Sequence, residues 1–161
     1  MAGGYQLSHD AKISMINTTD IGGTSASLAT WMDMSGFESC LVYVEVGTWD
    51  AGDDLDECRI EAASDSSGTG NVEVTTDSAT GNYDTDTPID ADGDFVILEI
   101  RNEDLPVGKP FVNFCLAEAG NTGVDNINAF MVLYNAKEKF AEKNGAAVSG
   151  EKVYVTPHSN T

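Results

Sequence analysis

The residues of this 161-residue chain with types suited to chemistry are two histidines, three cysteines and a large excess of carboxylates. His9 and His158 sit near opposite ends, in stretches that read as terminal arms. A Ser/His/Asp or Cys/His pair would have to recruit one of those arms, which is poor preorganisation for a nucleophile and its base. The chain has no Gly-x-Ser-x-Gly, no phosphate-binding Gly-x-x-x-x-Gly-Lys-Ser/Thr and no His-Glu-x-x-His. Ser149 to Lys152 spells Ser-x-x-Lys, but the neighbouring glycines oppose the helix that such a motif needs. The expectation is a protein that is not an enzyme, with no catalytic residues and no cofactor.

Cation binding is the stronger chemical reading. Residues 45–94 hold 15 acids and a single base, Arg59. Asp84, Asp86, Asp90, Asp92 and Asp94 offer oxygen ligands, and Gly93 offers a tight turn, as a hard cation such as calcium requires. The helix–loop–helix calcium loop can be tested by register. With Gly93 at its sixth position, Asp90 and Asp92 fall at the third and fifth and Glu99 at the twelfth. The first position is then Pro88, whose side chain has no ligand oxygen, and the following segment reads as a strand. That motif is rejected, and an irregular loop site on the five aspartates is what survives. Against it stands a simpler account, a hairpin turn at Asp92-Gly93-Asp94, where glycine supplies positive φ. The turn is the better reading.

Four aromatics, Trp31, Trp49, Tyr83 and Tyr134, form a candidate sugar-stacking platform of the kind found in β-sandwich carbohydrate-binding modules. Core plugs or subunit contacts are the commoner use of single aromatics at strand ends. Cys40, Cys58 and Cys115 lie in apolar runs, without Cys-x-x-Cys spacing and in odd number. They read as buried small hydrophobes in a chain folded in a reducing compartment. A Cys40–Cys58 or Cys40–Cys115 bridge stays open.

The elements that must position these residues are strands. The organising stretch runs from Asp33 to Gly47 and opens with a Ser35-Gly36 turn signal. Cys40, Val42, Val44 and Val46 share one face, and Leu41, Tyr43 and Glu45 the other. A period of two with one wholly apolar face is a strand covering a core. Further strands are expected at 12–17, at 57–63 with Cys58, Ile60 and Ala62 inward, at 72–74, at 95–101, at 111–117 with Val112, Phe114 and Leu116 inward, and at 128–134. The run 95–101 is apolar on both faces at first, which reads as a central strand. Residues 18–27, 64–71 and 75–94 read as loops, the last long and acidic. Residues 1–10 read as a flexible arm. Residues 137–161 read as an extension with one or two helical turns at 137–143 and a short edge strand ending at Pro157. About eight strands with turns between them, and no long amphipathic helix, predict an all-β, single-domain β-sandwich or jelly roll over 1–161, with long acidic loops and extended terminal arms.

Composition limits the partners. There are 27 acids against 8 bases, a net charge of −19. Such a surface repels nucleic acid and anionic membranes. The first residues show no basic segment followed by an apolar one, so no secretory signal is expected, and no apolar run approaches a membrane span.

Several blocks then fall in a familiar order. Asp33-Met-Ser-Gly-Phe precedes a valine-rich strand, and Arg59-Ile-Glu-Ala-Ala-Ser precedes a Ser/Gly loop. Asp94-Phe-Val-Ile-Leu-Glu-Ile-Arg precedes Pro110-Phe-Val-Asn-Phe, and Asn128-Ala-Phe-Met-Val-Leu-Tyr precedes Val153-Tyr-Val-Thr-Pro. Over residues 28–158 this resembles the small head decoration and stabilisation (cement) proteins encoded beside the major capsid gene of tailed bacteriophages. The chain departs from that pattern in its longer acidic 75–94 loop and its charged 137–144 segment. The resemblance implies a structural virion protein made in the host cytoplasm and carried on the capsid surface. It implies homotrimers that bridge subunits of the major capsid protein. The alternative, from residue types alone, is a calcium- or carbohydrate-binding β-sandwich module of an adhesin kind.

Overall fold

The computed structural model describes residues 11–18, 25–48, 54–74, 91–119 and 126–137. They form nine strands: β1 (Lys12–Thr18), β2 (Ser25–Ala26), β3 (Met32–Asp33), β4 (Phe37–Thr48), β5 (Asp54–Ala63), β6 (Val72–Glu73), β7 (Phe95–Arg101), β8 (Phe111–Ala119) and β9 (Asn126–Ala136). A single 3-10 turn at Asn102–Asp104 is the only helical element among the described residues. The protein is all-β, with two antiparallel sheets. The first has the order β1-β9-β4-β7. The second has the order β2-β8-β5-β6, with β3 also pairing β8.

The pairing is nested. β1 pairs β9, β2 and β3 pair β8, β4 pairs β7, and β5 pairs β6, so early strands meet late ones symmetrically along the chain. Two further ladders, β4 with β9 and β5 with β8, join the nested pairs into sheets. The apolar alternation explains why the sheets then stack. Cys40, Val42, Val44 and Val46 of β4 and Ile127, Ala129, Met131 and Leu133 of β9 meet Cys58, Ile60 and Ala62 of β5 and Val112, Phe114 and Leu116 of β8 in one core. Each is almost fully shielded from water. Fully burying one valine- or leucine-sized side chain contributes about 1.5–3 kcal/mol, so these facing rows are what hold the sheets together.

The turn expected at Ser35-Gly36 is present and separates β3 from β4, which begins at Phe37. Two expectations change. Ser25–Ala26, inside the stretch that reads as a loop, is paired to Leu116 and Ala117 of β8. Among the described residues the run Phe95–Arg101 is an edge strand and not a central one, with β4 as its one sheet partner. The arm at 1–10 and the expected helical turns and edge strand within 138–161 lie outside the described residues.

Candidate assembly face

The three cysteines are free and buried, with Cys40 on β4 and the other two on the opposite sheet. Burial pushes the Cys40 and Cys58 thiols up to about 12. Burial also raises the Cys115 thiol, although Arg59 opposes it. Cys40 and Cys58 are inert core groups; Cys115 lies outside that core, opposite Arg59 on the outward side of β8.

Of the five candidate cation ligands, Asp92 and Asp94 are described; Asp84, Asp86 and Asp90 lie outside the described residues. Asp92 and Asp94 flank Gly93, which has a φ of 85°. The Asp94 N–H donates to Ala91 O at 3.1 Å, the Gly93 N–H to Val46 O at 2.8 Å, and the Val46 N–H to Asp94 O at 2.8 Å. The segment is a turn clamped to the end of β4, the simpler of the two accounts of these residues. Among the described residues no group of three or more His, Cys, Asp or Glu side chains is placed to hold a metal ion.

The structure does not bring Trp31 and Tyr134 together. Trp31 sits beside β3 on the edge of the second sheet and packs on the 64–71 loop; a Cβ on Gly68 would lie 2.6 Å from its Nε1. Tyr134 belongs to β9 in the first sheet and donates its hydroxyl to Glu99. Trp49 and Tyr83, like His9 and His158, lie outside the described residues.

The site that residue types did not reveal is the outer face of the β1-β9-β4-β7 sheet. Registers fix which side chains share it. One row across the four strands is Ile13, Val132, Leu41 and Glu99. The next is Met15, Phe130, Tyr43 and Ile97. A third sets Asn128, Glu45 and Phe95 side by side on β9, β4 and β7. Ile13 is 47% exposed, Met15 69%, Phe95 59% and Ile97 52%. Six large hydrophobic side chains are exposed among the described residues, and these four are on this one face. That clustering separates a patch from ordinary scattered surface apolars.

The centre of the face is rigid. Tyr43 stacks on Phe130 with ring centroids 4.9 Å apart, and on Phe95 at 5.8 Å, each at an interplanar angle of 21°. Three strands therefore carry one continuous slab of rings. Four strands about 4.8 Å apart and seven residues rising about 3.3 Å each give a footprint of about 440 Å². This is about half of the roughly 800 Å² per partner of a stable protein–protein interface. The face suits a contact that is weak singly.

A sequence signal for this face existed. Phe95 to Ile100 is apolar on both sides, and that reads as burial between two layers. At a sheet edge the same pattern leaves the outward apolar residues Phe95 and Ile97 exposed. Among the described residues no helix is long and apolar enough to cross a membrane. No protein-family model matches the chain, and no curated protein matches it.

Proposed function

We propose that the chain is a structural virion protein that sits on the outside of a phage head and stabilises it by bridging neighbouring major capsid subunits. The observation that carries this reading is the exposed apolar face of the β1-β9-β4-β7 sheet, centred on the Phe130–Tyr43–Phe95 ring slab. A footprint of about half a standard interface is weak as a single contact, and repetition on a symmetric lattice multiplies it. Trimers at three-fold positions would add avidity in the same way. The net charge of −19 keeps decorated particles mutually repulsive and soluble.

The strand order supports the same reading. With β2 and β3 counted as one interrupted strand, we read the nested pairing as a jelly roll, an architecture used by viral coat domains. The test is to mix the purified chain with matured empty phage heads, and to sediment them. Co-sedimentation saturating at a fixed ratio is expected. Retention on a glycan array with no binding to heads would replace decoration with the carbohydrate-binding reading.

A further inference from the structure

We infer that the outer face of the β1-β9-β4-β7 sheet takes a folded protein partner whose contact surface is aliphatic at its centre and lined by lysine or arginine at its rim, and not a second copy of this chain. The inference rests on reading that face as a docking surface. It does not depend on the partner being a head shell.

The argument is one of charge around an apolar centre. The charges within the grid are acidic. Glu99 is exposed beside Leu41, and Glu45 is half-buried beside Phe95. Asp94 precedes Phe95 at the same corner. Arg101 stands at the far end of β7, and its guanidinium already meets Glu103 at 3.3 Å. Lys12 pairs with Leu133, which places it on the opposite face of the sheet.

Two copies meeting through this face would be related by a two-fold axis, and each would bring the same acids to the seam. Removing carboxylates from water without an opposite charge is strongly unfavourable. The net charge of −19 on each copy adds longer-range repulsion. A partner with basic rim groups turns both terms around. Its centre is set by the ring slab: stacked aromatics held by three paired strands are already ordered, so little side-chain entropy is lost on docking. The same acids oppose nucleic acid and anionic bilayers.

The test uses the full chain, with M15S/I97S, E99Q and E38Q as variants. Met15 and Ile97 are more than half exposed, so the double variant keeps its core. The probes are beads carrying octyl and primary-amine groups, against beads carrying the same density of amines alone. Wild type is expected to stay on the mixed beads to about twofold higher salt than on amine beads. M15S/I97S is expected to lose that difference. E99Q is expected to lower the release salt more than E38Q, which removes an equal charge elsewhere. Sedimentation equilibrium should give wild type and M15S/I97S the same mass.

Equal release from both beads, or an M15S/I97S variant that behaves as wild type, overturns the inference. So does dissociation of an oligomer by M15S/I97S, which would make the face a self-contact. Should the beads discriminate as expected while heads fail to bind, the decoration reading falls and the partner chemistry stands.

Discussion

The side chain of Asn113 on β8 does the work of a backbone for Leu28, 85 residues away. The Leu28 N–H donates to Asn113 Oδ1 at 3.0 Å, and Asn113 Nδ2 donates to Leu28 O at 3.0 Å. Asn113 Oδ1 also accepts from the Phe114 N–H at 2.8 Å. The cause is a mismatch of chain lengths. β2 pairs Ala26 with Leu116 and β3 pairs Met32 with Val112, so five residues on the edge face three on β8. Ladder bonds cannot span that excess, and a buried amide restores them.

Asn113→Leu should therefore destabilise by about 2–5 kcal/mol, since it strands a buried N–H and a buried C=O. Asn113→Asp keeps the acceptor and sets a carboxylate against Leu28 O. Burial raises such a group's folded pKa above its unfolded value. Its folded state is then favoured below the unfolded pKa and loses that advantage as pH rises. Urea melts should show a smaller deficit near pH 4 than near pH 7. A deficit for Asn113→Leu below about 0.5 kcal/mol would show that Leu28 finds other partners.

Period-two alternation made most of this fold legible. Cys58, Ile60 and Ala62, or Val112, Phe114 and Leu116, could be assigned to a core from spacing alone, because a strand with one solvated face writes its burial into the sequence. The interrupted edge strand was not legible. Ser25 and Ala26 are small and polar-flanked, and only β8 makes them a strand. The outer face of the β1-β9-β4-β7 sheet was half legible: a period of two puts Leu41, Tyr43 and Glu45 on one side of β4. What joins them to Met15, Phe130 and Ile97 is inter-strand register, which local pattern does not encode. Both-sided apolarity at Phe95–Ile100 pointed to two covered faces and turned out to mark one core face and one exposed one.

Gly68 is required twice over. Its φ is 82°, and an added Cβ would lie 2.6 Å from Trp31 Nε1. The loop around it is tied by Asp65, whose Oδ1 accepts from the Ser67 N–H at 2.9 Å and the Thr69 N–H at 3.1 Å. Gly68→Ala should cost about 1–2 kcal/mol for the backbone alone, and displace Trp31 in addition. In a Trp49→Phe background, Trp31 emission should shift to the red. Unchanged emission and stability would mean that the loop relaxes without strain.

The buried thiols set an alkaline limit on stability. Cys40 and Cys58 have folded pKa values of about 12 against an ordinary 9.0. Below the ordinary value both states hold the proton and nothing is lost. Between about 9 and 12 the unfolded chain ionises while the folded one does not, so stability falls with rising pH. The slope approaches about 1.4 kcal/mol per pH unit for each thiol. Cys40→Ala/Cys58→Ala should start less stable at pH 7, from lost packing, and fall less steeply above pH 9. Native protein near pH 8 should react slowly with a thiol reagent, with Cys115 modified first. Fast modification of all three without denaturant would contradict this burial.

On the outer side of the second sheet, Glu61 and Glu73 stand directly opposite each other on β5 and β6. Arg59 makes that tolerable. Its Nε donates to Glu61 Oε1 at 2.9 Å and its Nη2 lies 2.9 Å from the same oxygen, while Asn71 Nδ2 donates to Glu61 Oε2 at 2.8 Å. Glu73 Oε1 is buried without a hydrogen-bond partner, which makes the pair sensitive to loss of the nearby positive charge. Arg59→Met should destabilise at pH 7 by about 1–3 kcal/mol, the range for hydrogen bonds to charged groups. Arg59→Lys should fall between, because an ammonium supplies the charge and not the fork. Equilibrium urea melts at pH 7 decide it, and equal deficits for Arg59→Lys and Arg59→Met would assign the role of Arg59 to packing.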